Sequence, residues 1–245
     1  MQKQIIILAA GKGSRMKSNL PKVMHKVGSK PMLQMVVDNA YAVTNDIILV
    51  YSDHIAEYLP IFENKCKFAL QEEQLGTAHA VWVANSLINH NIQNAVIYGD
   101  NPLITPSIIT ELFEHLEGSK AAIAALVFEH EEPNEYGRII LDENGDFKKI
   151  VEFKVATDLD KKIKLCNSGI MAFAPGVLEK YLLACVDQSL GYSGKELYLT
   201  EIIEICSNAG EKVTYYTSKN HQLVIGVNTQ EELEVANKII SNQQL

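Results

Sequence analysis

The run Ile5, Ile6, Ile7, closing on Leu8, Ala9 and Ala10 and then on Gly11-Lys12-Gly13, restricts what this chain can become more than any other stretch. A short β-branched run that ends in small residues and glycines has the pattern of a buried strand handing the chain to a loop at the sheet edge. Gly11 and Gly13 let the backbone turn N–H groups toward an anion with no Cβ in the way, while Lys12, Arg15 and Lys22 gather three cations on one short segment. That equipment suits a triphosphate. Two familiar glycine loops fail at the same place, because Met16 stands where a P-loop needs the glycine before Lys17-Ser18 and where a dinucleotide fingerprint needs its third glycine. A strand-to-helix turn with solvated lysines is the plain alternative, and the loop by itself does not choose.

Composition narrows the class of ligand. At 245 residues and 47% hydrophobic, the chain is large enough to bury a substantial core. Its net charge of -8 argues against a nucleic-acid surface, since a polyphosphate backbone calls for a basic face. The cations cluster locally, around residues 12 to 30, which fits a small phosphorylated ligand better. Apolar runs such as 5 to 10 and 121 to 128 are too short to span a bilayer, no leader-like hydrophobic region opens the chain, and a cytoplasmic protein without membrane contact is expected. Cys66, Cys166, Cys185 and Cys206 form no Cys-x-x-Cys pair and read as reduced, mostly buried thiols.

Strand and helix patterns alternate through residue 128. Pro31 starts a helix carrying Met32, Met35, Val36, Ala40 and Val43; a strand follows at 47–51, and an apolar stretch at 66–70 ends on Gln71. After Gly76 a helix places Ala80, Val81, Ala84, Leu87 and Ile88 on one side; a strand at 95–98 stops at Gly99-Asp100; and Thr105-Pro106 caps a helix with Ile109, Leu112, Phe113 and Leu116 inward. This order implies an α/β fold with a doubly wound, mostly parallel sheet, whose functional loops gather at the strands' C-terminal ends. From about residue 133 the rhythm turns β-rich: 138–141 and 147–151 flank Asn144-Gly145 as a hairpin, and 165–173 is extended. Helices are expected near 175–185 and 197–208, strands at 213–217 and 223–227, and a last helix behind the Thr229/Glu232 capping box. One domain over 1–245 is therefore expected, with a doubly wound part to about 130, a small β-rich lobe at about 131–228 and a C-terminal helix from 229. No internal repeat is visible.

Three groups of residues carry candidate chemistry. Asp100 leaves a central strand where a carboxylate is aimed into the cleft, and Asn228, in the run IGVN, offers a second oxygen. Mg²⁺ keeps several waters, so one or two protein oxygens plus substrate phosphates suffice to hold it. A turn-starting Asp and a helix-opening Asn are the plain alternatives. In QEEQLGTAHA, residues 71–80, the Gln71 amide presents both a donor and an acceptor, which is what reading a pyrimidine edge requires, and Gly76 permits close approach. A polar loop with Thr77 capping a helix explains the same letters. Glu72, Glu73 and His79 are read as solvated or structural.

The order LAAGKGSRM, LPKV, QEEQLGT, YGD, EYGRI, IVEFK, CNSGI and GVN resembles the signature of nucleotidyltransferases that make nucleoside-diphosphate sugars. It is similar in particular to the uridylyltransferase part of bacterial N-acetylglucosamine-1-phosphate uridylyltransferases, over about residues 5 to 240. The resemblance implies a Rossmann-like fold of GT-A type and a Mg²⁺-dependent reaction of UTP with N-acetylglucosamine 1-phosphate in cell-envelope precursor synthesis. It implies substrate contacts at Leu8, Ala9, Ala10, Gly11, Gly13, Lys22, Gln71, Gly76, Thr77, Tyr98, Gly99, Asp100, Gly137, Glu152, Asn167 and Asn228. Arg15 and Lys22 carry catalysis in that reading, Asp100 and Asn228 hold the metal, and Gly137, Glu152 and Asn167 face the sugar. Glu135, Phe153 and Ser168 depart from the family's usual residues beside these positions. The family's β-helix acetyltransferase part, which also builds a trimer, has no counterpart in this sequence, so no acetyltransferase activity is expected and the oligomeric state stays open. The rivals are a pyrophosphorylase for another nucleotide or sugar, a metal-dependent glycosyltransferase and a non-catalytic nucleotide-sugar sensor. The glycosyltransferase usually shows Asp-x-Asp, whereas this strand ends Gly99-Asp100-Asn101.

Overall fold

Period-two packing in β1 (Lys3–Leu8) defines both faces of the sheet: Ile6 and Leu8 enter one apolar cluster, and Ile5 and Ile7 enter the other. The computed structural model describes residues 1–130, 134–190 and 196–243, without the side chains of 188–190 and 243. After β1 come a small antiparallel pair, β2 (Lys26–Val27) and β3 (Lys30–Pro31), then α1 (Met32–Tyr41), β4 (Ile47–Tyr51) and β5 (Lys67–Leu70). Next are α2 (Thr77–Val83), β6 (Gln93–Tyr98), α3 (Pro106–Ser119) and β7 (Ile123–Glu129). The hairpin β8 (Arg138–Leu141) and β9 (Phe147–Val151) leads to β10 (Leu165–Phe173), α4 (Val177–Leu190), α5 (Glu201–Asn208), β11 (Val213–Thr217) and α6 (Gln230–Gln243).

The main sheet runs β11-β7-β10-β6-β1-β4-β5, with β8 and β9 attached through β10. Only β10 opposes the other strands of that path, since β4 and β6 flank β1 in parallel ladders, β5 is parallel to β4 and β11 is parallel to β7. The expected doubly wound, mostly parallel sheet is therefore present. α1 and α3 cover the face of Ile5 and Ile7, while α2, α4 and α5 cover the face of Ile6 and Leu8. β1 lies between β4 and β6, so the chain winds outward from it in both directions, which opens a crevice at the C-terminal ends of these strands. Among the described residues no helix is long and apolar enough to cross a membrane. Cys66, Cys166, Cys185 and Cys206 are thiols in no disulfide, and burial pushes Cys66, Cys185 and Cys206 up to about 12.

Two helix boundaries and one expected strand differ from expectation for identifiable physical reasons. α2 stops at Val83 and continues as a tighter turn at Asn85–Leu87, because the buried Gln4 carboxamide takes the Leu87 carbonyl (3.2 Å) and the Asn89 N–H (2.9 Å). The helix expected from 197 begins at Glu201, because Leu197 and Leu199 spend their amides on the loop before α2 and on Thr77. No strand forms at 223–227: Val224 is fully buried, its carbonyl accepts from Asn101, and Val227 donates to the Asp100 carbonyl at 2.8 Å. The segment is a clamp on the end of β6 and joins no ladder. The boundary expected near 131 lies outside the described residues.

The last helix starts as its capping box requires. Glu232 Oε2 accepts from Thr229 N–H at 3.0 Å and Thr229 Oγ1 accepts from Glu232 N–H at 3.2 Å. The same carboxylate also accepts from Asn228 N–H, so the cap anchors the backbone of a candidate site residue. Thr229→Ala should cost about 1 kcal/mol, read as a shifted midpoint in urea unfolding. An unmoved midpoint would show that this cap adds nothing to stability.

Candidate active site

Every candidate segment leaves the sheet on one side. Residues 9–22 follow β1, Gln71 follows β5, Gly99 and Asp100 follow β6, and Asn167 lies near the start of the reversed strand β10. Lys22, Asp100 and Asn228, separated by up to 206 positions, converge there: Lys22 Nζ donates to Asp100 Oδ2 and to Asn228 Oδ1, the latter at 3.0 Å. The Lys22 and Asp100 side chains are only 12% and 16% exposed, which sets this pair apart from an ordinary surface ion pair. Tight packing brings Lys22 into place. Gly13 has φ +60°, and a Cβ on it would lie 2.4 Å from Lys22 Cβ, so this glycine is needed to let the loop cross the lysine stem. Gly11 faces open space, and that part of the loop is free to receive an anion.

The sequence groups Lys22 with Lys12 and Arg15 as cations of one loop, whereas the structure sets the Lys22 ammonium between the Asp100 and Asn228 oxygens. Arg15 is elsewhere on the loop, with Nη1 3.6 Å from Glu135 Oε2 and both side chains mostly in solvent. Leu8, Ala9 and Ala10 are buried, so their side chains belong to the core, and Ala9 N–H is used by the Val50 carbonyl at 2.8 Å. Met16, which spoiled both glycine motifs, is buried, and its carbonyl accepts from Gln230 of α6 at 3.0 Å. Among the described residues no group of three or more His, Cys, Asp or Glu gathers as a metal cage. The Asp100 and Asn228 oxygens nevertheless suit a hard divalent cation that keeps waters and phosphate ligands, and their shared contact with an ammonium shows that the pair faces a positive charge.

Gln71 is buried at 3% exposure. Its Nε2 donates to the Gly76 carbonyl and lies 3.1 Å from His79 Nδ1. Gly76 serves a purpose the sequence did not disclose. At φ +128° a Cβ would fall 2.4 Å from the Leu197 carbonyl oxygen, while Leu197 N–H donates to Leu75 and Ala78 N–H donates to Leu197, both at 2.8 Å. Thr77 is the first residue of α2, and its hydroxyl gives no helix cap; it accepts from Leu199 N–H at 2.8 Å.

The β-rich side brings Gly137, Glu152 and Asn167 close together. Gly137 accepts from Asn167 N–H at 2.9 Å, and a Cβ on Gly137 would lie 3.5 Å from Glu152 Oε2. Glu152 Oε1 accepts from Thr200 Oγ1 at 2.7 Å, and burial raises the carboxyl above its usual range. Tyr98 links the groups. Its ring presses on Gly169, whose φ of +88° and missing Cβ make room, and its hydroxyl is pushed well up by burial and by the carboxylates of Glu152 and Asp100, with Thr77 as a hydrogen-bond partner. It is a neutral donor at physiological pH. Thr200 escaped the sequence reading. The alternation Leu197, Tyr198, Leu199, Thr200 was its signal, an extended pattern in which two buried leucines alternate with two polar-tipped residues.

Comparison with known proteins agrees with this fold. The MobA-like NTP transferase domain family matches residues 5–229. The bifunctional protein GlmU of Desulfotalea psychrophila is 37% identical over 96% of this chain and 69% of its own length. That of Bacillus cytotoxicus is 40% identical over 97% of this chain and 52% of its own length, and that of Alkaliphilus metalliredigens is 37% identical over 99% and 53%. The chain thus spans between half and about two thirds of these relatives. A solved structure from Bacillus anthracis, described as a glucose-1-phosphate thymidylyltransferase in complex with sucrose, superposes with a TM-score of 0.74 at 19% identity, covering 97% of this chain and 95% of its own, and so supports the fold. The chain belongs to the MobA-like NTP transferase domain family and is related, over nearly its whole length, to part of the bifunctional GlmU proteins.

Proposed function

We propose that this protein joins UTP to N-acetylglucosamine 1-phosphate, giving UDP-N-acetylglucosamine and pyrophosphate, in the cytoplasm and with Mg²⁺. The observation that carries the reading is the meeting of Lys22, Asp100 and Asn228 beside an open glycine loop at the C-terminal edge of the sheet. A phosphate oxygen of the sugar 1-phosphate forms a bond to the α-phosphorus of UTP, and the bond from that phosphorus to the β-phosphate bridging oxygen breaks. The nucleophile is already anionic, so neither a general base nor a covalent enzyme intermediate is needed; the protein's work is positioning and neutralising charge. Lys22 would turn from Asp100 to the α-phosphate and the sugar phosphate, and Arg15 with the loop amides would hold the outer phosphates. A divalent cation held by Asp100 and Asn228 would supply Lewis-acid neutralisation of phosphate charge. Glu152 with Thr200, Asn167 and Gly137 would meet the sugar, and Gln71 with Gly76 and Thr77 the uracil.

The test is release of pyrophosphate from UTP, dTTP and CTP with Mg²⁺ and a panel of hexosamine 1-phosphates. UTP with N-acetylglucosamine 1-phosphate should give the highest kcat/KM. Preference for another pair would reassign the substrate, release of UDP from UDP-sugar would mark a glycosyltransferase, and binding without turnover would mark a sensor.

A further inference from the structure

His79 stands three residues into α2 with its Nδ1 3.1 Å from Gln71 Nε2. An amide nitrogen has no lone pair to offer, so Nε2 donates and Nδ1 accepts, which places the imidazole hydrogen on Nε2. The other Gln71 amide hydrogen goes to the Gly76 carbonyl at 3.1 Å. A flipped carboxamide would set Oε1 against the Gly76 carbonyl oxygen, a clash that neither tautomer of His79 relieves. Gln71 is therefore held in one orientation, with both donors spent inside the protein and Oε1 the atom left to meet a ligand.

We infer that His79 is a specificity-positioning residue: by accepting from Gln71 Nε2 it keeps the Gln71 carbonyl oxygen turned to the nucleobase, and so favours uracil over cytosine. Uracil carries a donor at N3–H between two carbonyls, whereas cytosine carries a bare acceptor at N3, so an acceptor fixed opposite N3 rewards one base and repels the other. His79 touches no substrate in this scheme and acts through Gln71. The inference rests on the proposed reading that Gln71 meets the base of UTP.

The experiment measures kcat/KM for UTP and CTP with the full chain carrying His79→Leu, His79→Asn or Gln71→Ala. Losing one neutral hydrogen bond that orders the amide should lower the UTP/CTP ratio of His79→Leu by roughly three- to tenfold, mainly through the KM for UTP. His79→Asn places a carbonyl oxygen near the position of Nδ1 and should restore the ratio. An unchanged ratio in His79→Leu, or a ratio that falls equally in His79→Asn, would overturn the inference while Gln71→Ala still abolished discrimination. Full discrimination retained by Gln71→Ala would instead remove Gln71 from base reading, and the inference with it. Should His79→Leu fail to fold by circular dichroism, His79→Gln serves as the disrupting variant, its longer side chain displacing the acceptor, and it should lower the ratio likewise.

Discussion

Lys22→Ala is expected to lower turnover by roughly 10²–10³, the cost of removing one preorganised donor to developing charge, equivalent to about 2.7–4 kcal/mol of transition-state stabilisation. The large effect follows from where the ammonium is. It is mostly withdrawn from water and already bonded to Asp100 and Asn228, so its charge acts in a region of reduced dielectric and needs little reorganisation to reach a phosphate beside those oxygens. The measurement is single-turnover formation of the nucleotide sugar at saturating UTP, with folding checked by circular dichroism. A folded variant whose chemical step is unchanged would remove Lys22 from the mechanism.

Gly76→Ala should damage stability first and activity second. At φ +128° an L-residue is strained, at about 1–3 kcal/mol. Its Cβ would also fall 2.4 Å from the Leu197 carbonyl oxygen and 2.5 Å from the Leu197 nitrogen. Neither obstacle is the end of a flexible side chain, so relief must come from backbone movement, at a further cost of about 1–3 kcal/mol. The sum, about 2–6 kcal/mol, predicts a Tm lower by roughly 5–20 °C for a chain of this size. Movement of residues 197–200 would also loosen the bonds from Leu199 to Thr77 and from Thr200 to Glu152, so the KM for both substrates should rise together. A variant melting within a degree of the wild type would mean that this junction yields freely.

Much of this arrangement was legible in the sequence, and what was missed has a common cause. β4, β8, β9, β10 and β11 end where their hydrophobic patterns and turn residues end, because apolar periodicity and glycine punctuation are local signals. Asp100 was singled out from its position after β6 and Asn228 from the resemblance, since no strand directly precedes Asn228. The bond from Lys22 to both was not, since pairing across 78 and 206 positions leaves no trace in spacing. The false strand at 223–227 shows the same limit from the other side: Val224 and Val227 have a strand's apolarity, but their partners are Asn101 and Asp100, residues of a loop. Gly76 was singled out for the close approach of a ligand, and what spacing could not show is that the Leu197 backbone also leaves it no room for a Cβ.

The most direct test of the account is the anomalous scattering of Mn²⁺ in crystals of the protein grown with UTP. The account predicts a single strong peak between Asp100 Oδ and Asn228 Oδ1, with the triphosphate along Gly11 to Gly13 and Lys22 turned onto the α-phosphate. A peak bound to other residues, or a triphosphate seated away from that loop with Lys22 still paired to Asp100, would contradict it.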